Sequence, residues 1–213
     1  MSAAAHASGA ARHRSAGRAG KAAVVATAVF LAACLVPTAL AGIEEGRQKA
    51  QTCAACHGPD GNSVITNTPS LAGQPRQFIV TALFMFREGR RVADPMTPFV
   101  AKLSNTDLND LAAYFSSQKM TPPARKPEPE VVAKGQEITR RNNCVACHTA
   151  TLVGQQHIPR IAGQHRDYLL AQLRLFKAAK RADFDGTMTS AAQGLTPEEI
   201  DTLADYLSTI SLP

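Results

Sequence analysis

The chain has 213 residues, 45% hydrophobic but only 5% aromatic, with no tryptophan and a formal net charge of +6. Four basic residues and no acid in the first 41 supply most of that charge, so residues 42–213 carry only +2, with acids and bases interleaved. A clustered basic footprint of the kind that nucleic-acid binding needs is absent, and the length after residue 41 suits two small domains, which bury too little surface to be robust unless something else fills them.

The first element is a secretory leader over residues 1–41. A basic stretch ends at Lys21, the apolar run "AAVVATAVFLAACLVPTALA" follows, and Ala39-Leu40-Ala41 supplies small residues for cleavage ahead of Gly42. This predicts export, hence a periplasmic protein. The alternative is an uncleaved anchor, since about 20 apolar residues span a bilayer. "LAAC" at 31–34 resembles a lipoprotein box, but the segment after Cys34 stays apolar.

Beyond the leader the chain is one unit written twice. Cys53, Cys56 and His57 align with Cys144, Cys147 and His148; "PSLAGQ" from Pro69 aligns with "PRIAGQ" from Pro159; "LSNTDLNDLAAYFSS" aligns with "LTPEEIDTLADYLST". Helices are expected at about 44–56 and 75–89. Leu108, Leu111, Ala112 and Phe115 mark one face of a third. The proline-rich stretch 122–130 reads as a semi-rigid linker between domains 42–121 and 131–213. In the second copy helices are expected at about 131–146 and 164–180. A final helix has Thr196 as N-cap, Pro197 at its first position and Glu199 placed to close a capping box. No convincing alternating strand appears, so the fold class is all-α.

Two close cysteine pairs in an exported chain would by default be disulfides. The histidine that follows each pair points elsewhere. A redox dithiol of the thioredoxin kind needs a βαβ setting, which is missing, and structural zinc wants a fourth protein ligand. Covalent haem attachment accounts for all three residues: the thiols of Cys53 and Cys56, or Cys144 and Cys147, bond the two vinyl groups of one porphyrin, and His57 or His148 reaches the iron from one face. A large apolar macrocycle would also fill a domain poor in aromatics.

Methionine is one residue type that completes such an iron site, and it raises the potential. Of five methionines, only Met96 in "ADPMTPF" and Met188 in "DGTMTSA" coincide in the repeat, both in loop-like surroundings. Met85, inside an apolar run, reads as core filler, and Met120 borders the linker. His157 aligns with Asn67 and His165 with Pro75, so neither belongs to the duplicated machinery, and surface or local hydrogen bonding is expected of both.

With "CAACHGPDGNS", the paired "PSLAGQ" and "PRIAGQ", the matched methionines and the two C-terminal helices, the chain resembles class I cytochromes c, and in its tandem arrangement the dihaem cytochrome c4 family. The resemblance covers essentially all of 42–213. It implies two class I cytochrome c domains, each wrapped around one covalent haem c with His/Met ligation. It also implies that the carbonyls of Pro69 and Pro159 accept hydrogen bonds from the ligand histidines, fixing the tautomer.

By the same resemblance the protein shuttles single electrons in the periplasm. Its donor would be a partner such as a quinol-oxidising complex and its acceptor a terminal oxidase, with peripheral membrane association as a further option. The competing reading is a dihaem oxidoreductase of thiosulfate dehydrogenase or peroxidase type, or the cytochrome subunit of a dehydrogenase. That reading needs an exchangeable position on one iron, against which the matched methionines argue. "GPDGNS" after His57 has no counterpart in "TATLVGQQ" after His148, so unequal potentials are expected.

Overall fold

Each domain is built on the crossing of its first and last helices, and a glycine sets how close that crossing is. In a computed structural model, which describes residues 38–212, α1 (Thr38–Lys49) packs on α5 (Asn105–Ser117), and α6 (Pro129–Arg141) packs on α10 (Pro197–Leu207). A Cβ at Gly46 would sit 2.0 Å from the backbone oxygen of Asp110, and one at Gly135 would sit 2.2 Å from Cγ of Tyr206. Only the residue without a side chain lets these backbones approach so far.

The two glycines stand at different distances from their CxxCH motifs. In domain one a 3₁₀ turn (Ala50–Thr52) leads into the short helix α2 (Ala54–His57). In domain two the longer spacing is taken up by a break at Asn142 and Asn143 before α7 (Cys144–His148), Asn143 adopting φ +53°. The helices expected as continuous over 44–56 and 131–146 are therefore interrupted. The chain must turn there to bring the motif under the domain while the first helix keeps its crossing.

Between these elements lie α3 (Arg76–Arg87) and α4 (Thr97–Val100) in domain one, and α8 (Arg166–Lys177) and α9 (Thr187–Gln193) in domain two. Among the described residues there is no strand, only one isolated bridge between Gln155 and Ile158. The expected cap of α10 is present: Thr196 accepts from the Glu199 amide, and the Glu199 carboxylate accepts from the Thr196 amide. α5 carries the same reciprocal cap with Ser104 and Asp107, aspartate standing where Glu or Gln is usual. The linker is shorter than expected at its far end, since α6 begins at Pro129; proline suits a first helical turn.

The cores are separate. Domain one buries Ala50, Ile79, Leu111, Ala112, Tyr114 and Phe115. Domain two buries Ile138, Leu169, Ile200, Leu203, Ala204 and Leu207, among others. The face read from sequence, Leu108, Leu111, Ala112 and Phe115, is buried. Residues 1–37 of the expected leader, Cys34 among them, lie outside the described residues, whereas the expected cleavage point after Ala41 falls within α1. Among the described residues no helix is long and apolar enough to cross a membrane.

Candidate haem sites

Each CxxCH motif closes a single helical turn, which puts its three functional side chains within one turn of backbone. The amide of His57 donates to the carbonyl of Cys53 at 2.9 Å. Cys53, Cys56, Cys144 and Cys147 are free thiols, and burial pushes the Cys53 and Cys144 thiols up from their ordinary value.

His57 and His148 are buried, each 5% exposed. Nδ1 of His57 lies 2.8 Å from the Pro69 carbonyl, and Nδ1 of His148 lies 2.9 Å from that of Pro159. A carbonyl oxygen only accepts, so each Nδ1 carries the proton and each Nε2 presents its lone pair. Burial lowers both imidazole pKa values, against the opposing pull of the proline carbonyls. The neutral tautomer with a free Nε2 is the form in which a histidine ligates a metal.

The loop after each motif follows the same path with different residues. Leu71 and Ala72 donate to the Gly61 carbonyl, as Ile161 and Ala162 donate to that of Leu152. Positions that domain one fills with Gly58 and Gly61 at positive φ hold Thr149 (φ 70°) and Leu152 (φ 60°) in domain two. The asymmetry of "GPDGNS" lies in what it touches. Asn62 donates to the Lys119 carbonyl and accepts from the Thr121 amide, pinning the start of the linker. The carbonyl of Ser63 is 2.8 Å from Nε2 of His165 in the other domain.

His165 is thus a correction to the sequence reading. Its partner is neither local nor solvent but lies across the domain boundary. His157 behaves more nearly as expected, with its ring against Phe184 and Nε2 3.7 Å from the Asp185 carboxylate. Met85 is buried in domain one and Met120 packs over Gly163, as filler does. Met96 immediately precedes α4 and Met188 is the second residue of α9, both half-buried. Met96 lies in a turn, as its loop-like surroundings suggested, while Met188 lies within a short helix, its amide held by Asp183 at 2.6 Å.

The interface between domains carries more chemistry than the sequence suggested. Arg160 is 1% exposed and donates to the carbonyls of Ala72 (3.0 Å) and Ala162, with Nε unpartnered. Burial lowers its pKa to about 10, which leaves it charged at neutral pH. Nearby, the register mates Arg91 and Arg181 stack on Phe86 and Phe176 at 4.4 and 4.3 Å. Arg91 donates to the Tyr168 hydroxyl at 2.9 Å. Burial alone would push that hydroxyl up, but the two guanidinium charges outweigh it and hold it below the ordinary tyrosine value.

Among the described residues the acceptors of these three arginines are neutral: two backbone carbonyls for Arg160, the Tyr168 hydroxyl and Gln172 for Arg91, and Gln172 for Arg181, whose Nε is buried without a partner. A buried charge is normally paired. Two free-thiol motifs and two buried imidazoles with open lone pairs, together with guanidinium groups whose acceptors are all neutral, fit a cofactor that is held through thiols and imidazole and brings its own carboxylates, as haem does.

All-α domains of this kind, each with a CxxCH turn and a carbonyl-oriented histidine, define a tandem c-type cytochrome. A family model described as cytochrome c matches residues 43–119 and 132–211. Cytochrome c4 of Thiocapsa roseopersicina is 39% identical over 180 residues, 79% of this chain and 92% of that protein. The solved structure of reduced recombinant cytochrome c4 from Pseudomonas stutzeri superposes with a TM-score of 0.73 at 32% identity, covering 79% of this chain and 98% of that one. A thiosulfate dehydrogenase electron acceptor of Thiomonas intermedia is 30% identical over 75% of this chain and 79% of its own length. The chain belongs to the cytochrome c family and, within it, to the dihaem cytochromes c4. It is a dihaem electron-transfer cytochrome.

Proposed function

We propose that this protein is a periplasmic carrier of single electrons, with His57 and Met96 as axial ligands of the first haem iron and His148 and Met188 of the second. The observation that carries the reading is the duplicated pair of buried histidines, each with Nδ1 committed to a proline carbonyl and Nε2 left open. The haems, when bound, supply the one-electron ferric/ferrous couple. Cys53 with Cys56, and Cys144 with Cys147, fix each macrocycle covalently. Met96 and Met188 would supply the second protein ligand of each iron, which would leave no position for a substrate and favours a carrier over an enzyme.

Donor and acceptor follow from the same reading. The near-neutral charge of residues 42–213 favours mild electrostatic steering of small, transient redox encounters. A quinol-oxidising complex as donor and a terminal oxidase as acceptor suit an exported dihaem carrier. Likeness to a thiosulfate dehydrogenase electron acceptor supports a second donor, a thiosulfate-oxidising dehydrogenase, with this chain again as carrier.

The test is spectroscopy of holoprotein matured with two haems. Both ferric haems are expected to be low-spin and to show the weak long-wavelength band of methionine-ligated haem c. A high-spin component, or rapid binding of cyanide by the native protein, would replace the carrier by an enzyme with an open iron. Stopped-flow reduction by a thiosulfate dehydrogenase, against reduction by a quinol-oxidising complex, separates the two donors.

A further inference from the structure

The repeat "AGQ" ends in two glutamines, Gln74 and Gln164, each 3% exposed. Neither faces its own domain's histidine. Gln164 accepts from the Ser70 amide at 2.9 Å and donates to the Ser70 carbonyl at 2.9 Å. Gln74 does the same with Arg160, accepting from its amide at 2.9 Å and donating to its carbonyl at 3.0 Å. Ser70 and Arg160 are register mates, so the two domains exchange identical side-chain clasps.

The amide of Ser70 and the carbonyl of Pro69 belong to one peptide unit. That carbonyl accepts from Nδ1 of His57. An unbroken line of donors and acceptors therefore runs from Gln164 in domain two, through a single peptide group, to His57 in domain one. The mirror line runs from Gln74 in domain one, through the Pro159–Arg160 peptide, to His148. Hydrogen bonds in series polarise one another, by roughly 10–30% per bond. A peptide whose N–H is engaged carries more negative charge on its oxygen and accepts more strongly from Nδ1, which makes Nε2 a better electron donor.

We infer that each domain's glutamine sets the ligand strength of the other domain's histidine through this shared peptide unit, so that each haem potential is tuned by a residue of the opposite domain. The inference rests on His57 and His148 being the iron ligands proposed above. Gln74 and Gln164 act through the peptide and are positioning residues.

The two lines are unequal. Oε1 of Gln164 also accepts from its neighbour's amide, His165, at 3.0 Å. The residue after Gln74 is Pro75, which has no amide proton to give. Gln74 thus spends its acceptor undivided on the Arg160 peptide, and its grip on His148 is the stronger of the two.

The experiment is a redox titration of full-length holoprotein followed by NMR, which reads each haem separately. Gln164→Leu should raise the potential of the first haem and leave the second nearly unmoved, and Gln74→Leu should raise that of the second. A threefold weakening of the preference for ferric iron corresponds to about 30 mV, taking tenfold as 59 mV for one electron. The shift from Gln74→Leu should be the larger. If a leucine variant fails to fold, Gln164→Asn and Gln74→Asn carry the same expectation at smaller amplitude. Tyr168→Phe, which removes the Arg91 contact at the same interface, should not give the crossed pattern.

Shifts confined to the substituted domain, equal shifts in both haems, the same pattern in Tyr168→Phe, or no shift in folded variants would each overturn the coupling. In those cases an unchanged low-spin His/Met spectrum leaves the ligand assignment standing. A wild-type spectrum without histidine ligation overturns both.

Discussion

Gly135 lies beneath Tyr206 so closely that any side chain there would meet the ring at its Cγ. The contact locks α6 across α10, and its counterpart in domain one is Gly46 against Asp110 and Tyr114. Gly135→Ala should destabilise domain two by about 2 kcal/mol or more, because the obstructing atoms are a ring root and a helix that cannot swing away. Thermal melting of the holoprotein, followed at the second haem, should show the loss there first.

Thr149 invites the opposite change. It holds φ 70° and ψ 164°, a region populated essentially by glycine, and its hydroxyl is buried without a partner. Domain one places Gly58 at the matching point. Thr149→Gly should stabilise domain two by about 1 kcal/mol, the relief of strain exceeding the added freedom of the unfolded chain. Chemical denaturation of the two proteins side by side checks the sign.

Acid should act on domain one through Asp107. Hydrogen bonds from Lys49 and from Ser104 lower its carboxyl from 3.8 to about 2, while Asp107 and Asp110 raise Lys49 to about 12. Because the folded pKa of Asp107 is the lower one, its contribution is complete above the unfolded value of 3.8 and disappears as pH falls through about 2. Asp107→Asn should therefore flatten the loss of stability between about pH 4 and pH 2, where the wild type steepens. Denaturation midpoints across that range give the comparison.

Substituting Met96 by Ala should lower the potential of the first haem and let exogenous imidazole bind there, with the second haem nearly unchanged. A native spectrum in Met96→Ala would remove Met96 from the ligand set.

Replacing Cys53 and Cys56 together by Ala should leave one covalent haem per chain and a domain one that folds poorly, since its small core of Ile79, Leu111 and Phe115 would lose its filler. Mass spectrometry counts the haem, and circular dichroism reads the fold.

Much of the site was readable in one dimension. Haem attachment needs two thiols and an imidazole within one helical turn, and that requirement is visible as CxxCH. The cap of α10 is equally local, three residues from Thr196 to Glu199. Met96 and Met188 stood out because the duplication marked them. The clasps of Gln74 and Gln164 are not legible in the repeated "AGQ", since an internal repeat says what recurs and not which copy a side chain faces. The contact of His165 is illegible for a related reason, since the repeat aligns it with a proline.

The sequence by itself determined the two helical domains and the duplicated CxxCH turns on which the chemistry proposed for Cys53, Cys56, Cys144 and Cys147 rests, because each depends on residues a turn or two apart. Only the tertiary structure decided that Ser70 is held by Gln164 and Arg160 by Gln74, and that Arg160 is buried between two alanine carbonyls. Those contacts join residues from the two copies. Their formation depends on how two finished domains dock, where buried polar groups must find partners that no local pattern specifies.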